Sequence, residues 1–280
     1  MNNAFRLGGD LAINRLGFGT MRLPSQQGMG GPARGPENGR AVLRRALELG
    51  VNHIDTADFY VSVGGAVRAN TMIREALSPY PADLVIATKV GPVIRSDGFH
   101  QATPADLRGL VEANLEGLGV DRLDLVYLRI GAMQPPLGES LAERFEVLAA
   151  LREEGLIRHL GLSNVDIDHL AEARAIAPVV AVQNHAGRSH EADLLAACEE
   201  SGIGWVPFFP VGGGREPDDE RLVKVAERHG VTAHRISLAR LLASSPVALA
   251  IPGTGSLSHL EDNMAAGEIT LTEEDLADLA

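Results

Sequence analysis

The sequence predicts an α/β fold, a closed (β/α)8 TIM barrel forming one domain over residues 1–280, with an N-terminal β-hairpin closing its bottom. Three observations carry this expectation. Short apolar runs such as residues 179–182 alternate with amphipathic stretches along the chain, and strands without a polar face belong to a parallel sheet covered on both sides. Eight such runs fit into 280 residues, close to the roughly 250 that this barrel uses. No linker or change of composition divides the chain.

The elements follow in order. Residues 5–7 and 11–13 flank Gly8-Gly9-Asp10, and glycine supplies the positive φ of a tight hairpin turn. Residues 16–19 form the first barrel strand. Residues 25–38 are rich in glycine and proline and read as a loop. Within it, Gly28-x-Gly30-x-x-Ala33 has the spacing of a dinucleotide-binding turn, but no helix opens there, Pro32 interrupts it and the required acid-ended second strand is misplaced. A plain loop is the preferred reading. Val42, Leu43, Ala46 and Leu47 then share a helical face that ends at Gly50. Further strands are expected at 51–54, 84–89, 123–128, 157–162, 179–183, 203–206 and 247–251. Helices are expected at 70–77, 141–154, 167–176, 191–201, 221–229, 237–243 and 257–265. Thr103-Pro104-x-Asp106 opens another, in which Leu107, Leu110, Val111, Asn114, Leu115 and Leu118 share one face, and Thr272-x-x-Asp275 opens the last. The alternative, an open doubly wound sheet, lacks its glycine-rich turn after an early strand.

Composition narrows the function. With 25 basic and 37 acidic residues the net charge is −12, which argues against nucleic acid or an anionic membrane as the partner. The one cysteine, Cys198, excludes an intrachain disulfide and fits a reducing, cytoplasmic compartment. It lies among apolar helix residues and reads as a packed small side chain. No leader is visible in residues 1–10, and no apolar run approaches a membrane span. No His, Cys or carboxylate set has metal-ligand spacing. The oligomeric state leaves no mark in the sequence.

In this barrel the chemistry sits at the C-terminal strand ends. Those ends carry Gly19, Thr20 and Met21, then Asp55, Lys89, Arg129, Ser163, Asn164, Gln183, Phe208, Gly253 and Thr254, with Tyr60 just past Asp55. Singly each has an ordinary explanation: a solvated lysine, a packed tyrosine, a capping aspartate. Together they bring an acid, an ammonium and a phenol to one mouth. Buried Asp55 needs a cation, which Lys89 supplies, and the ammonium is expected to lower the pKa of Tyr60 so that it exchanges a proton near neutrality. Asp58 is expected to shape the loop. His53 precedes Asp55 on the same side of its strand and is expected to make a structural hydrogen bond. His185 and His190 are either pocket-lining or solvated loop residues, and Trp205 reads as packing.

These residues, with Leu16-Gly17-Phe18-Gly19-Thr20-Met21, Asp55-Thr56-Ala57-Asp58-Phe59-Tyr60, Thr88-Lys89, Gly161-Leu162-Ser163-Asn164, Val182-Gln183-Asn184 and Ile251-Pro252-Gly253-Thr254, resemble the aldo-keto reductase superfamily along nearly the whole chain. The likeness is to a bacterial branch with a short C-terminus, which implies an open pocket. It implies an NADP(H)-dependent oxidoreductase that reduces a small aldehyde or ketone, with Tyr60 as proton donor and Lys89 and Asp55 holding it. Ser163, Asn164 and Gln183 would hold the nicotinamide carboxamide, and Phe208 would stack on the ring. Phe209, Pro210, Val211 and Gly213 would cross the pyrophosphate. Gly253, Thr254, Ser256, His259, Asp262 and Asn263 would hold the adenosine end.

Two departures stand out. Arg129 occupies the place of the family's active-site histidine. Three roles are open to it: donating to the carbonyl oxygen, binding a substrate carboxylate or phosphate, or ending ordinary reduction and leaving a cofactor-binding protein. The second departure is at the 2′-phosphate end, where Gly253, Ser256 and His259 stand in place of the usual Lys or Arg. NADPH is expected, with NADH possible. Substrate identity would be set by loops at 25–38, 61–69, 131–138 and 187–191.

Overall fold

The computed structural model describes residues 4–25, 33, 35–95, 98–131, 138–186, 191–208 and 219–279. Strands β1 (Ala4–Leu7) and β2 (Leu11–Asn14) pair antiparallel across Gly8 and Gly9, whose φ values of 60° and 84° the turn requires. β3 (Phe18–Gly19) follows. The loop expected to run to Asn38 ends at Gly35, and α1 (Pro36–Glu48) begins three residues early. Pro36 takes the first turn, where its missing N–H has no partner to lose. Then come β4 (His53–Asp55), α2 (Ala69–Leu77), β5 (Val85–Val90), β6 (Pro92–Arg95), β7 (Gly98–Gln101), α3 (Pro104–Leu118) and β8 (Leu123–Arg129). α4 (Ala142–Glu153), β9 (Ile157–Ser163), α5 (Ile167–Ile176), β10 (Val179–Gln183), α6 (Glu191–Ser201) and β11 (Gly204–Trp205) continue the alternation. α7 (Glu220–His229), α8 (Ala233–Ser244), α9 (Leu257–Met264) and α10 (Glu273–Leu279) end it.

Seven strands form one parallel sheet in the order β11-β10-β9-β8-β5-β4-β3. The eighth expected strand, 247–251, does not form a regular ladder, a correction to the sequence reading. Pro246 and Pro252 bracket it, and a turn bond from Ala248 N–H to the Ser245 carbonyl competes with pairing. It still closes the barrel. Ala248 bridges Trp205 and Ala250 bridges Leu16, both parallel. Leu249 N–H reaches the Trp205 carbonyl at 2.7 Å, and Gly17 N–H reaches the Ala250 carbonyl at 2.8 Å. The buried Arg15 guanidinium locks the seam by donating to the carbonyls of Leu242, Ser245 and Ala248.

The β1–β2 hairpin plugs the N-terminal end of the barrel. Leu7, Leu11 and Ile13 share an interior cluster with Val85, Leu125, Val206 and Leu249. Asp10 pairs with Arg158 and His159 at the start of β9. Outward-facing Ile54, Ile86, Val126, Leu160 and Val182 pack in the larger core beneath the helices. The antiparallel β6–β7 pair was not anticipated.

Both expected helix starts form capping boxes. Thr103 N–H donates to Asp106 Oδ2 at 2.8 Å, and Thr272 N–H to Asp275 Oδ2 at 2.9 Å. Asp275 is fully buried and also accepts from His229 and Arg228, tying α10 to α7. The Thr272 N–H and these partners hold its carboxyl well below the usual range. A depressed carboxylate stabilises the fold above its unfolded pKa of about 3.9, and that contribution is lost as pH falls through the folded value. Asp275→Asn is therefore expected to cost about 2 kcal/mol at pH 7. Urea melts should show the gap from the parent protein narrowing below about pH 4.

Candidate active site

Asp55, Lys89 and Tyr60 meet at the C-terminal mouth, and all three are buried. Adjacent strand ends deliver Asp55 and Lys89, since β4 and β5 pair in parallel register. Lys89 Nζ donates to Asp55 Oδ1 at 2.6 Å and to the Thr56 carbonyl at 3.0 Å. It also lies 4.9 Å from the Tyr60 ring centroid. Tyr60 is held by its backbone, which accepts from Ala69 N–H and donates to the Ala57 carbonyl. Met21 and Phe59 pack against it.

The expected lowering of the Tyr60 pKa is overturned. Burial raises it, Asp55 adds to the rise, and the opposing pull of Lys89 and Arg129 does not compensate. The resting phenol is thus held protonated. Burial also works against the Lys89 ammonium, but Asp55 and Tyr60 outweigh it and its pKa rises. The second Asp55 oxygen accepts from Gln183 Nε2 at 2.7 Å, so Gln183, fully buried, serves the acid as well as the mouth.

Arg129 ends β8 opposite Ser163 in the register with β9. Its Nη1 donates to Ser163 Oγ at 3.1 Å, and its Cζ lies 5.1 Å from the Phe208 ring centroid. Gln101 Nε2, from the unanticipated β7, donates to the Arg129 carbonyl at 2.9 Å. Gly91 lets the chain pass there, since a Cβ on it would fall 2.1 Å from that carbonyl oxygen. Phe208 is half-buried and meets His185 edge to face at 5.4 Å. Asn164 has φ of 62° and donates to the Ile130 carbonyl at 2.7 Å, turning the chain directly after Ser163.

Gly19 and Gly253 approach closely across the barrel seam. A Cβ on Gly253 would lie 2.4 Å from the Gly19 carbonyl oxygen. Thr20 is buried, and its Oγ1 donates to the Asp55 carbonyl at 3.0 Å. Thr254 Oγ1 accepts from Ser256 N–H, and Ser256 Oγ caps α9 at His259 N–H. Asp262 accepts from Arg235 at 2.6 Å and from Thr232, so its carboxylate is committed to α8. His259 is exposed and Asn263 half-buried beside it. Phe209, Pro210, Val211, Gly213 and His190 lie outside the described residues.

A buried polar chain backs the site. Thr56 donates to Asn70 Oδ1, Asn70 to Asn114 Oδ1, and Thr88 to Asn114 Oδ1 at 2.6 Å. It ties α2 and α3 to the residues next to Asp55 and Lys89. Its signal was Asn114, a polar residue on an otherwise apolar helical face. Asp58 faces Arg68 across its loop at 3.6 Å, as a loop-shaping acid would. Cys198 is buried, its thiol pushed up to about 12 by burial, and Trp205 is buried packing.

His53 corrects a further expectation. Both ring nitrogens are buried with no hydrogen-bond partner among the described residues, where a structural bond was expected. The barrel interior beneath Asp55 offers apolar and glycine neighbours, and a Cβ on Gly17 would come 3.0 Å from His53 Nδ1. Burial pushes its pKa down to about 4, and Lys89 adds to the fall. The unfolded chain thus binds the proton more tightly, so His53 supports folding above about pH 6.5 and that support fades as pH falls toward 4. Between pH 7 and pH 5 the loss is expected to be on the order of 2 kcal/mol. His53→Phe should flatten that slope in urea melts at the two pH values.

Comparison with known proteins places the chain. Residues 15–280 match the model of the aldo/keto reductase family. The chain belongs to that family of oxidoreductases. It is 44% identical to pyridoxine 4-dehydrogenase of Escherichia coli (strain K12), over 99% of this chain and 97% of that protein. A thermostable aldo-keto reductase solved with the inhibitor epalrestat superposes with a TM-score of 0.81 at 31% identity, covering 98% of this chain and 97% of that one. An aldo-keto reductase from Klebsiella pneumoniae in complex with NADPH gives a TM-score of 0.79 at 27% identity, covering 100% and 94%. Among the described residues, no three His, Cys, Asp or Glu side chains are grouped to hold a metal. No helix there is long and apolar enough to cross a membrane.

Proposed function

We propose that this chain, acting as one domain over residues 1–280, reduces the carbonyl of a small aldehyde or ketone with NADPH, Tyr60 being the proton donor. The observation that carries the reading is the buried Asp55–Lys89–Tyr60 cluster at the barrel mouth. The donor set beside it suits a nicotinamide: Ser163, Asn164 and Gln183 end neighbouring strands, and Phe208 offers a flat half-buried face. Gly19, Thr20 and Met21 would line the ring's other side, and Gly253, Thr254, Ser256, His259 and Asn263 the adenosine end. Asp262, committed to Arg235, would act there by holding α9.

When bound, the reduced nicotinamide supplies a hydride to the carbonyl carbon. The carbonyl electron pair then moves to oxygen, which takes the Tyr60 proton. Burial keeps the phenol loaded beforehand, and Lys89 and Arg129 stabilise the phenolate left behind. Arg129 also faces the oxygen as its charge develops, where a fixed cation acts most strongly. Asp55, held by Lys89 and Gln183, keeps the ammonium charged and in place.

The relative from Escherichia coli makes pyridoxal and pyridoxine the first pair to assay. The test is NADPH consumption over pyridoxal, simple aldehydes, ketones and dicarbonyls. Retained cofactor binding with no turnover on any of them would favour a cofactor-binding protein whose Arg129 has ended reduction. NADPH is expected to bind at least as tightly as NADH, through the N–H groups at the α9 start and Ser256. A fluorescence titration favouring NADH would overturn that assignment.

A further inference from the structure

We propose that Asn114 is a positioning residue for the proton donor: acting through Thr88, Asn70 and Thr56, it directs the Lys89 ammonium toward Tyr60. This rests on the reductase reading above and deepens it. Lys89 Nζ has three hydrogens to place. One goes to Asp55 Oδ1 and one to the Thr56 carbonyl. Those two bonds set the line of the third, with the Tyr60 ring centroid 4.9 Å from Nζ. The direction of the ammonium therefore depends on where the Thr56 carbonyl stands.

Thr56 lies one residue past the end of β4. Its N–H donates to the Ala87 carbonyl at 2.8 Å, and its side chain supplies a second hold, Oγ1 donating to Asn70 Oδ1 at 2.8 Å. Asn70 Nδ2 in turn donates to Asn114 Oδ1 at 2.9 Å. On β5, Thr88 precedes Lys89 and faces the opposite way. Its Oγ1 donates to the same Asn114 oxygen at 2.6 Å. These links close a ring from Lys89 through Thr88, Asn114, Asn70 and Thr56 back to Nζ. Asn114 joins its two halves. Its oxygen spends both lone pairs on the two donors, and its amide donates to the Leu110 carbonyl at 2.8 Å, which sets the side chain on α3.

Packing alone does not call for this arrangement. Asn114 shares the buried face of α3 with Leu107, Val111 and Leu118, where a leucine would leave no polar group to satisfy. Thr56, Asn70, Thr88 and Asn114 are at most 1% exposed, so water does not stand in for a lost link. Gly117 lets α3 close on this point, since a Cβ there would lie 3.2 Å from Asn70 Cβ. A buried network whose members are all satisfied specifies one geometry.

The test uses Asn114→Leu, which removes the shared acceptor, and Thr88→Val, which keeps the shape and removes one donor. Each should lower kcat by about tenfold, the weight of one misdirected charged hydrogen bond, while KM for the carbonyl and NADPH affinity stay within about twofold. Combined with Tyr60→Phe, Asn114→Leu should add no further loss, because the proton that Lys89 serves is already gone. A variant that merely loosened the fold would lower kcat in both backgrounds alike. The second readout needs no turnover. The chain has two lysines, Lys89 and Lys224. With 13C at lysine Cε, and Lys224→Arg to assign the signals, both variants should move the Lys89 resonance and leave that of exposed Lys224 in place. If Asn114→Leu does not fold, Thr88→Val carries both readouts. An unmoved Lys89 resonance, an unchanged kcat, or a loss that recurs in full in Tyr60→Phe would overturn the inference. If the parent protein turns over no carbonyl, the reductase reading falls, and the Lys89 resonance alone decides whether Asn114 directs the ammonium.

Discussion

Tyr60→Phe is expected to lower kcat/KM for every carbonyl substrate by about a thousandfold, while NADPH binding stays close to that of the parent protein. The change removes one hydroxyl from a buried site and leaves the ring, which packs against Ala57, Ala69 and Met21. It therefore removes the proton without removing the wall. The size of the effect follows from the raised pKa. A phenol that burial holds protonated is loaded at neutral pH, and Lys89 and Arg129 lower the cost of its giving the proton up. Steady-state rates on the best aldehyde, with a cofactor titration on the same preparation, check the prediction. Turnover that survived in Tyr60→Phe would move the proton donor elsewhere.

Lys89→Met is expected to lose both activity and about 3–5 kcal/mol of stability. Lys89 and Asp55 are almost fully buried, and their contact at 2.6 Å leaves no room for water. Removing the ammonium strands a carboxylate whose remaining side-chain partner among the described residues is the Gln183 amide. The double change Asp55→Leu with Lys89→Met separates the two losses. It takes out both charges, so stability should largely return, because a buried ion pair is often replaceable by apolar groups. Activity should not return, since Tyr60 then lacks Lys89, the larger of the two cationic influences that stabilise its anion. Paired denaturant melts and rate measurements on the single and double variants decide the matter. A double variant as unstable as the single one would show that shape, not charge, accounts for the loss.

The repeating alternation of all-apolar runs and amphipathic helices was enough to read a barrel, because strand burial and helix periodicity are local patterns. The same reading located the mouth, since polar residues that end apolar runs stand out without any knowledge of distance. Asp55, Lys89 and Tyr60 were legible for that reason. The β6–β7 pair was missed because two strands of four residues carry little pattern of their own. It matters, because Gln101 from it fixes the carbonyl of Arg129.

The sequence by itself thus determined the fold class, the strand order of chemistry along the chain, and which side chains stand at the mouth. Residue spacing is sufficient for those, since a strand's period of two and a helix's 3.6 are properties of the backbone. Only the tertiary structure decided how the groups act on one another. It turned Gln183 toward Asp55, laid Arg129 on Phe208, left His53 without a hydrogen-bond partner among the described residues, and reversed the expected shift of Tyr60. Each of these depends on packing in three dimensions. A pKa is the sum of desolvation and every nearby charge, and at Tyr60 burial outweighs the lysine that the sequence placed beside it.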